Sequence, residues 1–279
     1  MNVITINNLT IQFGNFKALD GLDMSVEEGS IHGFLGPNGS GKSTTIRTLL
    51  GLLHPKSGEV RVLGEDPKAN PAVLKRVAYV PGDVTLWPNL TGFETFRALE
   101  SLRGRPTDRQ REKELIEAFE LDPTKKAKSY STGNRRKVLL VAALSANAEL
   151  LIMDEPTAGL DPLMERVFQA QLKKDNERGA SVLLSSHILS EVEALCDSVT
   201  VIKDGRVAQR GKIDTLRELA GHRVSANVNG KHILETVPET NVNSILERLL
   251  AQGATNISVT TASLEETFLK AYANDGSNQ

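Results

Sequence analysis

Eight consecutive residues constrain this chain more than any others. Gly36-Pro37-Asn38-Gly39-Ser40-Gly41-Lys42-Ser43 follow a short apolar run, residues 30–35. They precede a helical pattern in which Ile46, Leu49, Leu50 and Leu53 share one face, with Pro55 and Gly58 expected to end it. The spacing G-x-x-x-x-G-K-[ST] is that of a phosphate-binding loop. Glycines let the backbone curl so that successive N–H groups converge on phosphate oxygens. The helix behind them adds its positive end. Lys42 is expected to reach β- and γ-phosphates and the Ser43 hydroxyl to ligate Mg²⁺, with Thr44 completing the contact set. A glycine-rich surface turn would account for the glycines, but not for a strand before them and a helix after.

The remaining composition narrows the class. The chain has 279 residues, enough for one or two domains with a sizeable core. Its 33 basic and 35 acidic side chains leave a net charge of −2. That excludes holding nucleic acid or anionic lipid by bulk charge. A single cysteine, Cys196, permits no intramolecular disulfide and points to a reducing compartment. The most apolar stretch, residues 138–153, is broken by Ser145, Asn147 and Glu149, short of the roughly 20 apolar residues of a spanning helix. The first residues lack the basic and apolar regions of a signal peptide. Any action at a membrane is therefore expected to pass through a partner.

Residues 3–13 and 22–26 alternate as half-buried strands, and 60–63 and 77–80 read as further strands. From 91 to about 127, charged helix formers predict a helical insert, with capping-box spacings at Thr91/Glu94 and Thr107/Gln110. A helix over 134–146 precedes the apolar strand 150–153, and 181–185 is another buried strand. Asp204-Gly205 joins 199–203 to 206–209 as a hairpin. This alternation predicts an α/β fold with a partly parallel sheet. Past about 221, weak strands at 223–228 and 257–260 flank an amphipathic helix at 242–252. Ser263 and Glu266 open a last helix to about 273, and 274–279 are expected to fray.

Two further features carry chemistry. Leu150-Leu151-Ile152-Met153 ends in Asp154-Glu155, at the strand end where α/β ligands bind. Asp154 is expected to hold Mg²⁺ through a water and Glu155 to polarise the attacking water. An isolated Asp-Glu would more simply cap a helix or sit in a solvated loop; the phosphate loop reverses that preference. His187 follows the apolar run 182–186 and is a candidate γ-phosphate sensor, the alternative being a structural or solvated histidine.

In chain order, the phosphate loop, Tyr130-Ser131-Thr132-Gly133-Asn134, Asp154-Glu155-Pro156-Thr157, Gly159-Leu160-Asp161 and His187 resemble the nucleotide-binding subunit of an ATP-binding cassette transporter. The resemblance spans residues 1 to about 215. The segment ending Ser263-Leu264-Glu265-Glu266-Thr267-Phe268-Leu269 resembles the extension of drug-resistance and polymer-export ATPases of the ABC-2 type. This implies a P-loop NTPase core with an antiparallel β subdomain, a helical signature subdomain at about 85–147, and a small α+β extension over 222–279. It implies that Phe13 stacks on adenine, a core phenylalanine being the alternative. It implies that Ser131 and Gly133, with Thr132 and Asn134, face the γ-phosphate bound by an opposite subunit, and that Asp161 links the two sites. The chain departs from the pattern in two places. The family signature is LSGGQ, and Tyr130, Thr132 and Asn134 replace its Leu, first Gly and Gln; Thr132 adds a side chain where backbone would approach phosphate. A family glutamine that senses Mg²⁺ and the attacking water is replaced by Gly82, which has no ligand atom, leaving Asp83 or water to substitute.

The expected protein is a cytoplasmic, Mg²⁺-dependent ATPase at the inner face of the cell membrane. It dimerises head to tail on ATP, as a homodimer or pseudo-symmetric pair, and drives a transmembrane permease, an exporter. A non-transport ATPase of the same superfamily acting on nucleic acid or ribosomes is the competing reading. The chain has neither the coiled-coil insert nor the second cassette usual there, and its charge makes nucleic acid an unexpected partner. The missing glutamine suggests a third, a weakly hydrolysing nucleotide-binding regulator.

Overall fold

The computed structural model describes residues 1–228 and 231–261. The Ser263 capping box and everything after it lie outside the described residues. The chain divides into two compact units, 1–207 and 208–279, a division that falls before the limit at 215 read from sequence.

In the first unit, β1 (Asn2–Phe13) and β2 (Phe16–Glu27) form an antiparallel hairpin. Strand β3 (Ile31–Leu35) runs through the glycine loop into α1 (Lys42–Leu49), and β4 (Ser57–Val62) returns to pair with β1. There follow β5 (Val77–Val80), α2 (Gly92–Arg103), α3 (Arg109–Ala118), α4 (Thr132–Leu144) and β6 (Leu150–Asp154). Then come α5 (Pro162–Glu177), β7 (Ser181–Ser186), α6 (Leu189–Leu195) and β8 (Ser198–Lys203), and β9 (Arg206–Lys212) begins in this unit and runs on past its limit.

The larger sheet has the order β5-β6-β7-β3-β8-β9, and β5, β6, β7, β3 and β8 run parallel. Every residue of β3, β6 and β7 is buried. The unbroken apolar run of β6 up to Asp154 is what a strand covered on both faces requires, and the polar exceptions His32, Ser185 and Ser186 bond to neighbouring side chains. The C-terminal ends of the three strands, at Leu35, Asp154 and Ser186, therefore open together on one edge. The β8–β9 turn has both central residues at positive φ, Asp204 at 48° and Gly205 at 76°, the geometry that matches strand twist in a two-residue hairpin.

Two local expectations are corrected. Helix α1 stops at Leu49 instead of running to Leu53. Gly51 turns left-handed, and the Leu52 N–H reaches back to the Arg47 carbonyl at 2.9 Å, closing the helix a turn early. Helix α3 is capped by Asp108, whose carboxylate accepts from the Arg111 N–H at 3.0 Å, and not by Thr107. The Thr107 N–H is already given to Glu100, its hydroxyl accepts from Arg103, and Gln110 reaches forward to Glu114. The capping box at Thr91 and Glu94 is present as read. Helix α5 was missed in the sequence. It is tied to α3 by buried Arg111, which donates to Asp175 at 3.0 Å and to the Gln171 side chain at 2.7 Å.

The second unit comprises α7 (Ile213–Ala220), β10 (His222–Val228), β11 (Lys231–Val237), α8 (Val242–Ala251) and β12 (Thr255–Thr261). Its sheet is antiparallel in the order β11-β10-β12, over a small core of Val224, Ala226, Val228 and Leu249. Strand β11 had no counterpart in the sequence reading.

Candidate functional site

The glycine loop leaves the buried end of β3 and is shaped by close approach. A Cβ on Gly36 would lie 2.4 Å from the Ile202 carbonyl oxygen. Gly41, at φ 113°, would put one 2.6 Å from Leu19 of β2. The loop is pinned from behind where the Gly205 N–H donates to the Ser40 carbonyl at 3.0 Å. Of the first five helices, α1 alone begins without a side-chain cap; Thr91, Asp108, Ser131 and Asp161 cap the others. Its leading N–H groups are therefore left for an external anion. Ser40 Oγ is buried in the loop with no partner. Lys42, only 5% exposed, donates to the Gly36 carbonyl at 2.7 Å and the Pro37 carbonyl at 3.2 Å. Ser43 is exposed and Thr44 half-buried.

The end of β6 meets this loop. Glu155 Oε1 lies 3.6 Å from Lys42 Nζ and 3.3 Å from His187 Nδ1. One carboxylate thus sits between the phosphate-loop ammonium and the imidazole. Glu155 has φ 48°, an uncommon conformation for a non-glycine residue. It is held there as its N–H donates to the Ser185 carbonyl at 3.1 Å. Asp154 is buried, and its Oδ1 accepts from Ser185 Oγ. Buried Glu191 of α6 fastens the flanking loops together. It accepts from Thr157 Oγ1 and from Ser186 Oγ, each at 2.6 Å. The sequence reading named neither Ser185 nor Glu191. Glu191 was visible as a carboxylate one helical turn before the buried Leu195.

A second group of predicted residues assembles apart from the loop contacts. Ser131 caps α4, accepting from the Asn134 N–H at 3.3 Å. Asp161 caps α5, accepting from Leu163 and Met164 N–H groups at 3.1 and 3.0 Å. A Cβ on Gly133 would be 2.8 Å from the Gly159 carbonyl oxygen. The first turn of α4, including exposed Thr132, is therefore packed beside the Gly159-Leu160-Asp161 segment. Phe13 is 51% exposed, which overturns the reading of it as a core residue. It pairs with Phe16, two residues before Ala18, whose carbonyl lies against Gly41.

A polyphosphate fits the uncapped helix, the buried ammonium and the orphan Ser40 hydroxyl, with a carboxylate held beside it. The family described as ABC transporter matches residues 19–158. The chain belongs to the ABC transporter family. It is 38% identical over 228 residues to a daunorubicin resistance ATP-binding protein of Streptomyces coeruleorubidus, covering 79% of this chain and 72% of that one. It is 36% identical over 215 residues to a Nod factor export ATP-binding protein of Cupriavidus metallidurans, covering 75% and 71%. The dimeric structure of a bacterial ABC transporter cassette superposes with a TM-score of 0.67 at 26% identity, covering 75% of this chain and 98% of that one. This ABC protein is an ATP-hydrolysing subunit of a transporter. Among its described residues no helix is long and apolar enough to cross a membrane.

Proposed function

We propose that this ABC ATPase powers an exporter, closing as a head-to-tail dimer over two ATP molecules and reopening after hydrolysis. The observation that carries the reading is the position of Glu155 between Lys42 and His187. The loop residues Gly36 to Thr44 bind the phosphates and Lys42 neutralises their charge. Glu155 orients the attacking water and takes its proton, and His187 senses the γ-phosphate. Phe13, exposed near the loop, stacks on adenine.

Ser43 and Asp154 would hold Mg²⁺, which supplies charge neutralisation to the phosphates. Among the described residues no cluster of three or more histidine, cysteine or acidic side chains is set to hold a metal. One direct protein ligand in Ser43, a water held by Asp154, and the rest from phosphate and water is a donor set suited to Mg²⁺, which keeps several waters. The fit is supported by Asp154, buried with one oxygen bonded to Ser185 and the other facing Gly82.

Ser131 to Asn134 and Asp161 complete the partner subunit's site. Support comes from the exposure of Ser131, Thr132 and Asp161 and from likeness to a dimeric cassette. The permease is received by an apolar groove of about 420 Å³, lined by Leu74, Tyr79, Trp87, Leu99, Leu102 and Leu139. Trp87 is 46% and Leu102 73% exposed, as a partner surface would be. Export follows the relatives named for drug resistance and Nod factor export, and such a subunit works at the inner face of the cell membrane through its permease.

Glu155→Gln tests the reading. It keeps shape and removes the base, so turnover falls about 10²–10⁴-fold while ATP still binds. An ATP-bound dimer then accumulates. Phosphate release beside size-exclusion chromatography reads both. A normal rate without trapped dimer removes Glu155 from the mechanism.

A further inference from the structure

Two segments distant in sequence meet at one buried side chain. Arg136, on the second turn of α4, is 3% exposed. Its Nη1 donates to the Pro81 carbonyl at 2.9 Å and its Nη2 to the Gly82 carbonyl at 2.6 Å. Its Nε has no partner. Among the described residues no carboxylate lies in ion-pair contact with it, although the charges of Asp154, Glu155 and Asp83 act on it. A buried guanidinium that answers only to two backbone carbonyls is an expensive way to fill space. Leu139, Leu140 and Ala143, on the same face of α4, show what packing alone would select. The loop it holds runs directly past Asp154: a Cβ on Gly82 would stand 3.5 Å from Asp154 Oδ2. Gly82 is also where the family resemblance places a glutamine, and glycine offers no side chain to carry a signal.

We propose that Arg136 is a positioning residue that makes the Gly82 loop travel with α4. Movement of the Ser131–Gly133 turn, as it closes on a second nucleotide, then resets the loop against Asp154. This rests on the dimer reading above. The grip is on main-chain atoms, so it acts whatever side chains the loop carries. Two bonds from one planar group fix orientation as well as distance. The connection that a glutamine side chain would make from the loop is thus made to the loop, from the helix.

The test compares Arg136→Met, which keeps the apolar stem and loses both donors, with Arg136→Lys, which keeps charge but offers one donor point. Each is measured with Mg-ATP for kcat and KM. Amide hydrogen exchange at residues 82–84 is followed in a Glu155→Gln background with and without ATP. In Glu155→Gln alone, ATP is expected to form the dimer and change exchange at 82–84. Adding Arg136→Met leaves the dimer but abolishes that change, and in the otherwise native chain kcat falls on the order of tenfold or more with KM within about twofold. Arg136→Lys is intermediate in both. A stability loss with kcat and the exchange change intact makes Arg136 merely structural and overturns the proposal. Should Arg136→Met not fold, Arg136→Lys decides on the same exchange readout, reduced response supporting and full response overturning. If Glu155→Gln itself forms no dimer, the dimer reading fails before Arg136 is touched, and the proposal falls with it.

Discussion

Lys42, Glu155, His187 and Asp154 come from three strand ends and bond to one another or to the loops between them, whereas Ser131 and Asp161 spend their oxygens on their own helices. The first set forms an open circuit of contacts within one chain: Glu155 joins Lys42 to His187, and Asp154 is tied to Ser185. The second is a prefolded surface whose two helix starts pack on each other, with Gly133 against the Gly159 carbonyl, and among the described residues neither Ser131 nor Asp161 bonds to the first set. The contrast separates two properties. Nucleotide binding needs only the parallel sheet and the loops at its edge. Control of hydrolysis, as proposed, needs a second copy to bring up the other surface.

Substitutions that separate the two sets test this contrast. The largest effect is expected from Lys42→Ala, which removes a buried charge-assisted donor from the phosphates. ATP affinity of the single chain falls about 10²-fold or more by fluorescence titration. Affinity within a few-fold of native would show that the circuit does not hold nucleotide. Ser131→Arg puts bulk and charge on the second surface. Here monomer affinity persists, ATP-dependent dimer is absent by light scattering, and turnover drops about 10²-fold, the scale of losing a positioned donor. Loss of monomer affinity instead would merge the two sets into one.

The smallest effect concerns the sheet under the first set. His32 of β3 is buried, with Nδ1 2.8 Å from Ser198 Oγ and Nε2 3.0 Å from Thr200 Oγ1. Burial pulls its pKa down from 6.5 to about 4. The fold therefore favours the neutral ring. Its contribution is complete above pH 6.5 and is lost progressively as pH falls toward 4. At pH 5.5 this costs about 1 kcal/mol of unfolding free energy. Urea titrations at several pH values read the slope, and His32→Gln should flatten it. An unchanged slope in that variant would assign the acid sensitivity elsewhere.

Much of this was legible in the sequence, and unevenly so. Strand β5 and the end of β6 could be read directly, because strands buried at nearly every position leave unbroken apolar runs. The phosphate loop was legible because its glycines are demanded by contacts such as Gly41 against Leu19. Helix α5 escaped because Pro162 and a charged face obscure its stripe of Met164, Phe168 and Leu172. Strand β11 escaped because nothing in it is fully buried. Within the site, residues aimed at a ligand follow a motif, whereas Arg136, Ser185 and Glu191 are aimed at other protein groups. Arg136 sits among Arg135 and Lys137, and only its helical phase with Leu139 and Leu140 marks it as the one turned inward.

The helix caps at Ser131 and Asp161 bear on kinetics. A surface already folded in the free chain has no loop to order when it meets its counterpart, so the proposed dimer associates as rigid bodies. Such encounters run at about 10⁵–10⁷ M⁻¹ s⁻¹. At micromolar concentration that is roughly 0.1–10 events per second, comparable with a typical enzyme turnover of about 10 s⁻¹. Two subunits held side by side on one permease would meet at far higher effective concentration. Collision would then cease to limit the cycle, and its pace would pass to the chemistry at Glu155 and to reopening.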